Sequence, residues 1–340
     1  MGQRRSRDKN NHPESDTWPI YQLFGLNLAS NFTFTNRLIP GQNHPDLLFY
    51  LTDSPFDDVL QKQSLMYTSP YKNADGRPIL FLYGKGGDYL IRFTNIADFY
   101  FRPDRIACHL VNPAYHYLIE IGLLGTVMAL FLEAKGQLPL HGSSISIGNS
   151  GAAAFLADNR GGKSSLAASF LQEGYELISD DILVVAASEH ELQVHPSYPQ
   201  MRLEPAEVEY FFGTSKDFER VHPDYDKQRV PVGTSEGIGQ FCTTAQPLKR
   251  IYLLERKEPA NTNAPIAITP ISRTEAMIEL MRHSFEPEIA EAMGFQGRRL
   301  QSLAALTTKV PVRRLTYPTG FSSLPDVRRA IERDVSRQIG

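Results

Sequence analysis

Ala157-Asp158-Asn159-Arg160-Gly161-Gly162-Lys163-Ser164 is the stretch on which the reading of this chain turns. It matches the P-loop pattern, with alanine where the pattern has its first glycine. The pattern has a physical basis. Main-chain N–H groups of such a loop, joined by the open first-turn amides of the helix that follows, form a concave positive site for phosphate oxygens. Gly161 and Gly162 let the backbone approach the anion closely, Lys163 reaches the β and γ phosphates as a compact charge, and the Ser164 hydroxyl ligates the magnesium that bridges them. With Ser165 in the same first turn, residues 157–165 are the expected nucleotide-binding set, and Lys163 is expected to face solvent.

The neighbourhood agrees. A run of small and apolar residues, 152–156, reads as a strand before the loop, and good helix formers follow it, so a helix is expected over 164–172. Further strands are expected over 138–147, 176–179 and 182–187. Strands wrapped around a glycine loop indicate an α/β nucleotide-binding core rather than a lone lysine on an ordinary turn. Asp180 and Asp181 close the apolar strand Leu177-Ile178-Ser179, a position suited to a magnesium ligand or a catalytic base. Neighbouring side chains on an extended chain face opposite sides, so the two carboxylates are expected to divide these roles. The competing reading of such a pair is a solvated turn.

Toward the N-terminus, β-favouring runs at 47–51, 79–83, 89–94 and 106–111, punctuated by Gly, Pro, Asn and Asp, describe a β-rich domain over 17–112. Its Gly84-Lys85-Gly86-Gly87 segment reads as a hairpin turn, not a phosphate cradle. Residues 1–16 are polar and read as a disordered tail without the apolar segment of a secretory signal. Pro113 opens a long apolar helix ending near Gly136. Because Glu120 and Glu133 interrupt it, the helix reads as buried in the protein, not as a membrane span. Toward the C-terminus, Ser272-Arg273-Thr274-Glu275 has the form of a capping box ahead of Met277, Ile278, Leu280 and Met281. A strand is expected at 310–315, and a charged helix from Leu324. The domain expectation is therefore a catalytic unit over 113–325 and a C-terminal helix or tail over 326–340.

With 35 basic and 38 acidic residues among 340, the net charge of −3 supplies no field for a long polyanion, so nucleic acid is not an expected partner. Cys108 and Cys242 lack zinc or disulfide spacing and fit a reducing, cytoplasmic setting. Neither a dinucleotide fingerprint nor a Gly-x-Ser-x-Gly elbow occurs.

Three motifs, Leu140-His141-Gly142-Ser143, the Gly161-Gly162-Lys163-Ser164 loop and Ser179-Asp180-Asp181, stand in the order found in the HPr kinase/phosphorylase catalytic domain, which the chain resembles. From about Tyr21 to Tyr317 it resembles, more loosely, HPr-kinase-related proteins that phosphorylate lasso-peptide precursors on serine, including their Phe24-Gly25-Leu26 and Ala29-Ser30 wording. The resemblance implies a mixed α/β fold with the P-loop core shared by HPr kinase and phosphoenolpyruvate carboxykinase, behind a β-rich N-terminal domain. It implies ATP and Mg2+ as cofactors, Asp181 as the base that deprotonates the acceptor, and Asp180 beside Ser164 at the magnesium. His141 would lie by the phosphates and donate to developing charge. Arg202, Lys227 or Arg229 would stabilise the transferred phosphoryl group. Members are often homo-oligomers.

The chain departs from the pattern at Ala157, carries Asp158 and Arg160 within the loop, and lacks the glycine-rich signature that engages HPr. HPr itself is thereby disfavoured as acceptor. The expected function is transfer of a phosphoryl group from ATP to a serine of a peptide or protein, such as a lasso-type precursor. The alternatives are a kinase for a small hydroxyl metabolite such as free serine, and a non-catalytic nucleotide-binding partner protein.

Overall fold

Aromatic and β-branched runs separated by turn residues build the N-terminal third into a sheet. The computed structural model describes residues 17–42, 44–189, 191–213, 218–257 and 265–336; the expected tail at 1–16 lies outside them. Nine strands between Ile20 and Leu110 form this first sheet, in which Leu47–Leu51 runs parallel to Arg105–Leu110 and the strands from Ser64–Thr68 to Arg105–Leu110 form an antiparallel meander. The glycine segment at 84–87 is the expected hairpin: Lys85 pairs with Asp88, and Gly86 and Gly87 take φ of 66° and 90°. Two successive positive φ values are what a two-residue turn needs to follow strand twist.

The apolar helix begins at Pro113, as expected, but is not one regular helix. A 3-10 turn Pro113–Tyr115 leads into His116–Gly122, a wide π-type turn Leu123–Val127, and Met128–Ala134. Gly125, at φ −100° and ψ −115°, carries the break; a residue without Cβ tolerates that excursion. By length and composition this helix is apolar enough to cross a membrane, yet 67% of its most apolar 18-residue window is buried inside the fold. Its two acids explain the burial. Glu120 accepts from the Thr35 and Asn36 amides at 2.9 and 2.8 Å, and Glu133 is paired with Arg299.

A second sheet centres on Leu138–Ser146. The first half of this strand pairs with Ile182–Ala187, and its second half pairs in unbroken register with Ala152–Leu156 and, with a register break between Ser144 and Ile145, with Glu176–Ser179. Leu192–His195 joins Ile182–Ala187 to Gln246–Lys257, which in turn runs parallel to Ala152–Leu156. The pairing thus returns to its starting strand and closes a ring. Leu140, Ala154, Leu156, Leu183, Val194 and Ile251 belong to one buried cluster of that ring, with Leu280, Leu303 and Leu306 from the helices Arg273–Arg282 and Gln296–Lys309. Ser272 caps the first of these helices by accepting from the Glu275 amide, but the Glu275 carboxylate turns to Arg314, so only half of the expected capping box forms.

The opposite face of Ala152–Leu156 carries the helix Lys163–Leu171, one residue earlier than expected, packed through Phe155, Phe170 and Tyr252. The C-terminal helix Leu324–Ser336 packs there as well, continuous across the expected boundary at 325/326. Leu324, Val327, Ile331 and Val335 form its buried stripe at helical spacing, and Arg328 donates to Ser169 O at 3.0 Å. The preceding strand is Val312–Pro318, displaced toward the C-terminus from the expected 310–315. A small third sheet, Gln200–Leu203, Tyr225–Pro231 and Arg220–His222, stands beside the glycine loop's helix.

Candidate active site

The glycine loop leaves the strand Ala152–Leu156 at Ala157, which is buried, and turns at once: the Gly161 amide donates to Asp158 O at 2.9 Å. Arg160 (φ 59°) and Gly162 (φ 91°) both sit in the left-handed region, and Gly162 is the N-cap of Lys163–Leu171 with no side-chain cap. The first-turn amides are therefore left without a capping acceptor, the condition for an anion site. The alanine that replaces the pattern's glycine has a structural consequence. A Cβ at Gly161 would stand 2.4 Å from the Ala157 methyl and 2.8 Å from Asp158 O. The methyl and the Asp158 carbonyl together leave room only for glycine at 161.

Lys163 corrects the expectation of a solvent-facing side chain. It is only 8% exposed and folds back on the loop, donating to Ala157 O at 2.8 Å and Asp158 O at 3.1 Å. Burial pulls its pKa below the usual lysine value, against the opposing pull of Asp180 and Asp181.

Asp180 and Asp181 do not face opposite sides. Asp181 takes a φ of 74°, so the turn between Glu176–Ser179 and Ile182–Ala187 is not extended, and both carboxylates reach one cavity. Asp180 accepts three hydrogen bonds: Oδ1 from Ser143 Oγ at 2.6 Å and from Ser164 Oγ at 3.0 Å, and Oδ2 from the Arg202 amide at 2.9 Å. Asp181 Oδ2 accepts from Arg202 Nη1 at 2.6 Å, while Oδ1 lies 3.5 Å from His141 Nδ1. Burial pushes the Asp181 carboxyl up, but Arg202, His141, Lys227 and Lys163 outweigh it and hold the group below the ordinary carboxylate range. Burial lowers the pKa of His141. Near neutral pH the site therefore presents a carboxylate at 181 and an uncharged imidazole at 141.

His141, Arg160, Gly161, Gly162, Lys163, Ser164, Asp180, Asp181 and Arg202 all line this cavity, joined by Glu204, Glu207 and Lys227. Five of the expected residues stand elsewhere, Ala157 among them, buried where the loop leaves its strand. Arg229 donates to Val221 O at 3.1 Å and lies outside the lining. Asp158 and Asn159 are exposed at the rim, where Asp158 pairs with Arg282. The Ser165 hydroxyl is turned away to Glu207. Glu207 also accepts from the Glu204 amide at 2.7 Å and so braces the loop's helix against Pro205–Phe212. The two glutamates escaped the sequence reading because glutamate is an unusual N-cap; proline at the first helical position followed by Glu207 was the available signal.

Ser164 and Asp180 supply a hydroxyl and a carboxylate oxygen side by side at the head of the helix. That set fits magnesium, which takes one or two protein oxygens and completes its shell with phosphate and water. Among the described residues no group of three or more His, Cys, Asp or Glu offers a metal cage made of protein alone.

No protein-family model and no curated protein matches the chain. Among solved structures, the HPr(Ser) kinase/phosphatase from Coxiella burnetii is similar over 59% of this chain and 98% of its own length, at 12% identity and a TM-score of 0.30.

Proposed function

We propose that this chain is an ATP- and magnesium-dependent kinase acting on a serine hydroxyl of a peptide or protein. The observation that carries the reading is the Ser164 hydroxyl, on the first turn of an uncapped helix beside Lys163, within 3.0 Å of Asp180. A phosphate chain and the cation that bridges it need these three groups together.

In this reading the loop amides and Lys163 hold the triphosphate, and Ser164 with Asp180 hold magnesium, which neutralises charge on the β and γ phosphates when bound. Asp181 accepts the acceptor's hydroxyl proton. A bond forms between the acceptor oxygen and the γ-phosphorus as the bond to the β–γ bridging oxygen breaks, and ADP departs. A carboxylate of depressed pKa is a weak base, which suffices where the transition state is loose and catalysis rests on positioning and charge. Neutral His141 donates a hydrogen bond, and Arg202 and Lys227 supply positive charge to the transferring group. The serine of a lasso-type precursor is the acceptor favoured by the sequence resemblance, in a cytoplasmic setting.

The test is incubation with magnesium and γ-labelled ATP together with serine-containing precursor peptides and, separately, free serine. Label on peptide serine supports the reading. Label on free serine alone would move the acceptor to a small metabolite, and intact ATP in every mixture would remove the kinase.

A further inference from the structure

A second cavity, of about 190 Å3, shares Gly162 with the candidate active site and is lined by Ser165, Arg256, Tyr317, Phe321 and Leu324. None of its side chains takes part in the chemistry above. Its walls are mostly flat or aliphatic. Phe321 is backed by Tyr210 in a stacked pair with centroids 4.5 Å apart at 20°. The Arg256 side chain lies along the loop, with Cδ 3.4 Å from where a Cβ on Gly162 would be, and its guanidinium is fixed to Arg160 O.

One feature of the cavity is polar and unsatisfied. The Tyr317 hydroxyl is buried and has no hydrogen-bond partner among the described residues. It stands 3.0 Å from the position of a Cβ on Gly162, at the back of the loop. Buried hydroxyls are nearly always paired, because leaving one unmade is destabilising. Burial also raises its pKa to about 12, so the group keeps its proton near neutral pH and can donate as well as accept.

We infer that this cavity is the base subsite of the nucleotide, taking the planar heterocycle of a nucleoside between Phe321 and Arg256 with the Tyr317 hydroxyl on its polar edge. The inference rests on the reading of residues 157–164 as a phosphate loop. Gly162 belongs to both cavities, so a ligand with phosphates at the loop and its base here passes directly from one to the other. Aromatic and guanidinium planes are the walls on which nucleobases stack, and the orphan hydroxyl supplies the hydrogen bond that fixes the base's orientation.

The test is calorimetric titration of the full chain, with magnesium present, by ATP and by inorganic tripolyphosphate, which has the phosphates without the nucleoside. Wild type is expected to bind ATP at least ~10-fold tighter than tripolyphosphate. Phe321→Ala is expected to weaken ATP ~5-fold or more, the effect of losing one stacking ring, and Tyr317→Phe to weaken it in the same direction. Tripolyphosphate affinity should stay unchanged in both, which also reports that each variant is folded. Equal affinities for ATP and tripolyphosphate in wild type, or an equal loss for both ligands in Phe321→Ala, would overturn the base subsite and leave the phosphate loop standing. Failure of both ligands to bind wild type would instead remove the phosphate-loop reading, and the subsite with it.

Discussion

Arg202 and Asp181 are joined by a 2.6 Å ion pair, Nη1 to Oδ2, across the cavity that also holds the glycine loop's lysine. The remaining guanidinium contact is a long one, 3.4 Å from Nη2 to the Tyr198 hydroxyl, and Arg202 Nε is buried without a partner among the described residues. Burial by itself weakens the guanidinium's hold on its proton, but Asp181, Tyr198 and Asp180 raise its pKa above the usual value. The pair thus holds a permanent cation and a permanent anion at the place where a phosphoryl group and an acceptor hydroxyl would meet.

Asp181→Asn keeps the shape of the side chain and removes the proton acceptor. Phosphoryl transfer is expected to fall ~10²- to 10⁴-fold, the usual contribution of a positioned base, while ATP affinity changes little. Single-turnover rates set against the dissociation constant for Mg·ATP separate the two effects. Transfer at the wild-type rate in this variant would remove Asp181 as the base.

Lys163→Met keeps the aliphatic stem and deletes the ammonium. Transfer is expected to drop below detection. Stability without nucleotide should stay within ~1 kcal/mol, because the two lost hydrogen bonds to Ala157 O and Asp158 O are offset by relief of a buried charge. Urea unfolding of the apo protein checks the second half. A much larger loss would make the lysine a structural residue.

Much of this site was legible in the sequence because its chemistry is local. Residues 157–164 and 179–181 each place their functional groups within a few positions, and the strands and helix around them follow from periodicity. The inaccurate details have non-local or conformational causes. Lys163 is buried because its own loop carbonyls offer acceptors, and Asp181 shares a face with Asp180 because its φ is positive. A sequence pattern registers neither. Arg229 was grouped with Arg202 by its charge, and the two do pair across the small sheet, but the Arg229 guanidinium goes to Val221 O. Glu204, Glu207 and Tyr317 arrive from distant segments through packing alone. The break at Gly125 in the apolar helix was equally hidden, since glycine within a helical pattern signals weakness without saying what the backbone does.

The Arg299–Glu133 pair ties Gln296–Lys309 to the broken helix with both side chains 2–3% exposed, and Arg299 Nε stands 2.7 Å from Glu133 Oε1. Arg299→Met strands a buried carboxylate and is expected to destabilise the fold by ~3–5 kcal/mol. Adding Glu133→Leu should recover most of the loss. Denaturant midpoints for the two variants test this, and an additive second loss would contradict it.

His283, whose carbonyl accepts from the His141 amide at 2.7 Å, has its pKa lowered to about 4 by burial, from an ordinary value of 6.5. Below pH 6.5 the unfolded chain takes up a proton that the folded chain refuses, so stability is present above that pH and is lost as pH falls toward 4. Between pH 7.5 and 4.5 the loss from this group is roughly 2–3 kcal/mol. His283→Gln should show a pH profile flatter by roughly that amount, read from urea unfolding at the two pH values. Parallel profiles would contradict the assignment.

The most direct test of the central claim is equilibrium titration of the wild-type chain with ATP in the presence and absence of magnesium. Binding is expected with magnesium, at a dissociation constant within the ~1 μM to 1 mM range usual for enzyme substrates, and should weaken sharply when the cation is chelated or when Ser164 is changed to Ala. No binding at millimolar Mg·ATP, or binding that ignores both magnesium and Ser164, would contradict a phosphate loop built on Lys163, Ser164 and Asp180.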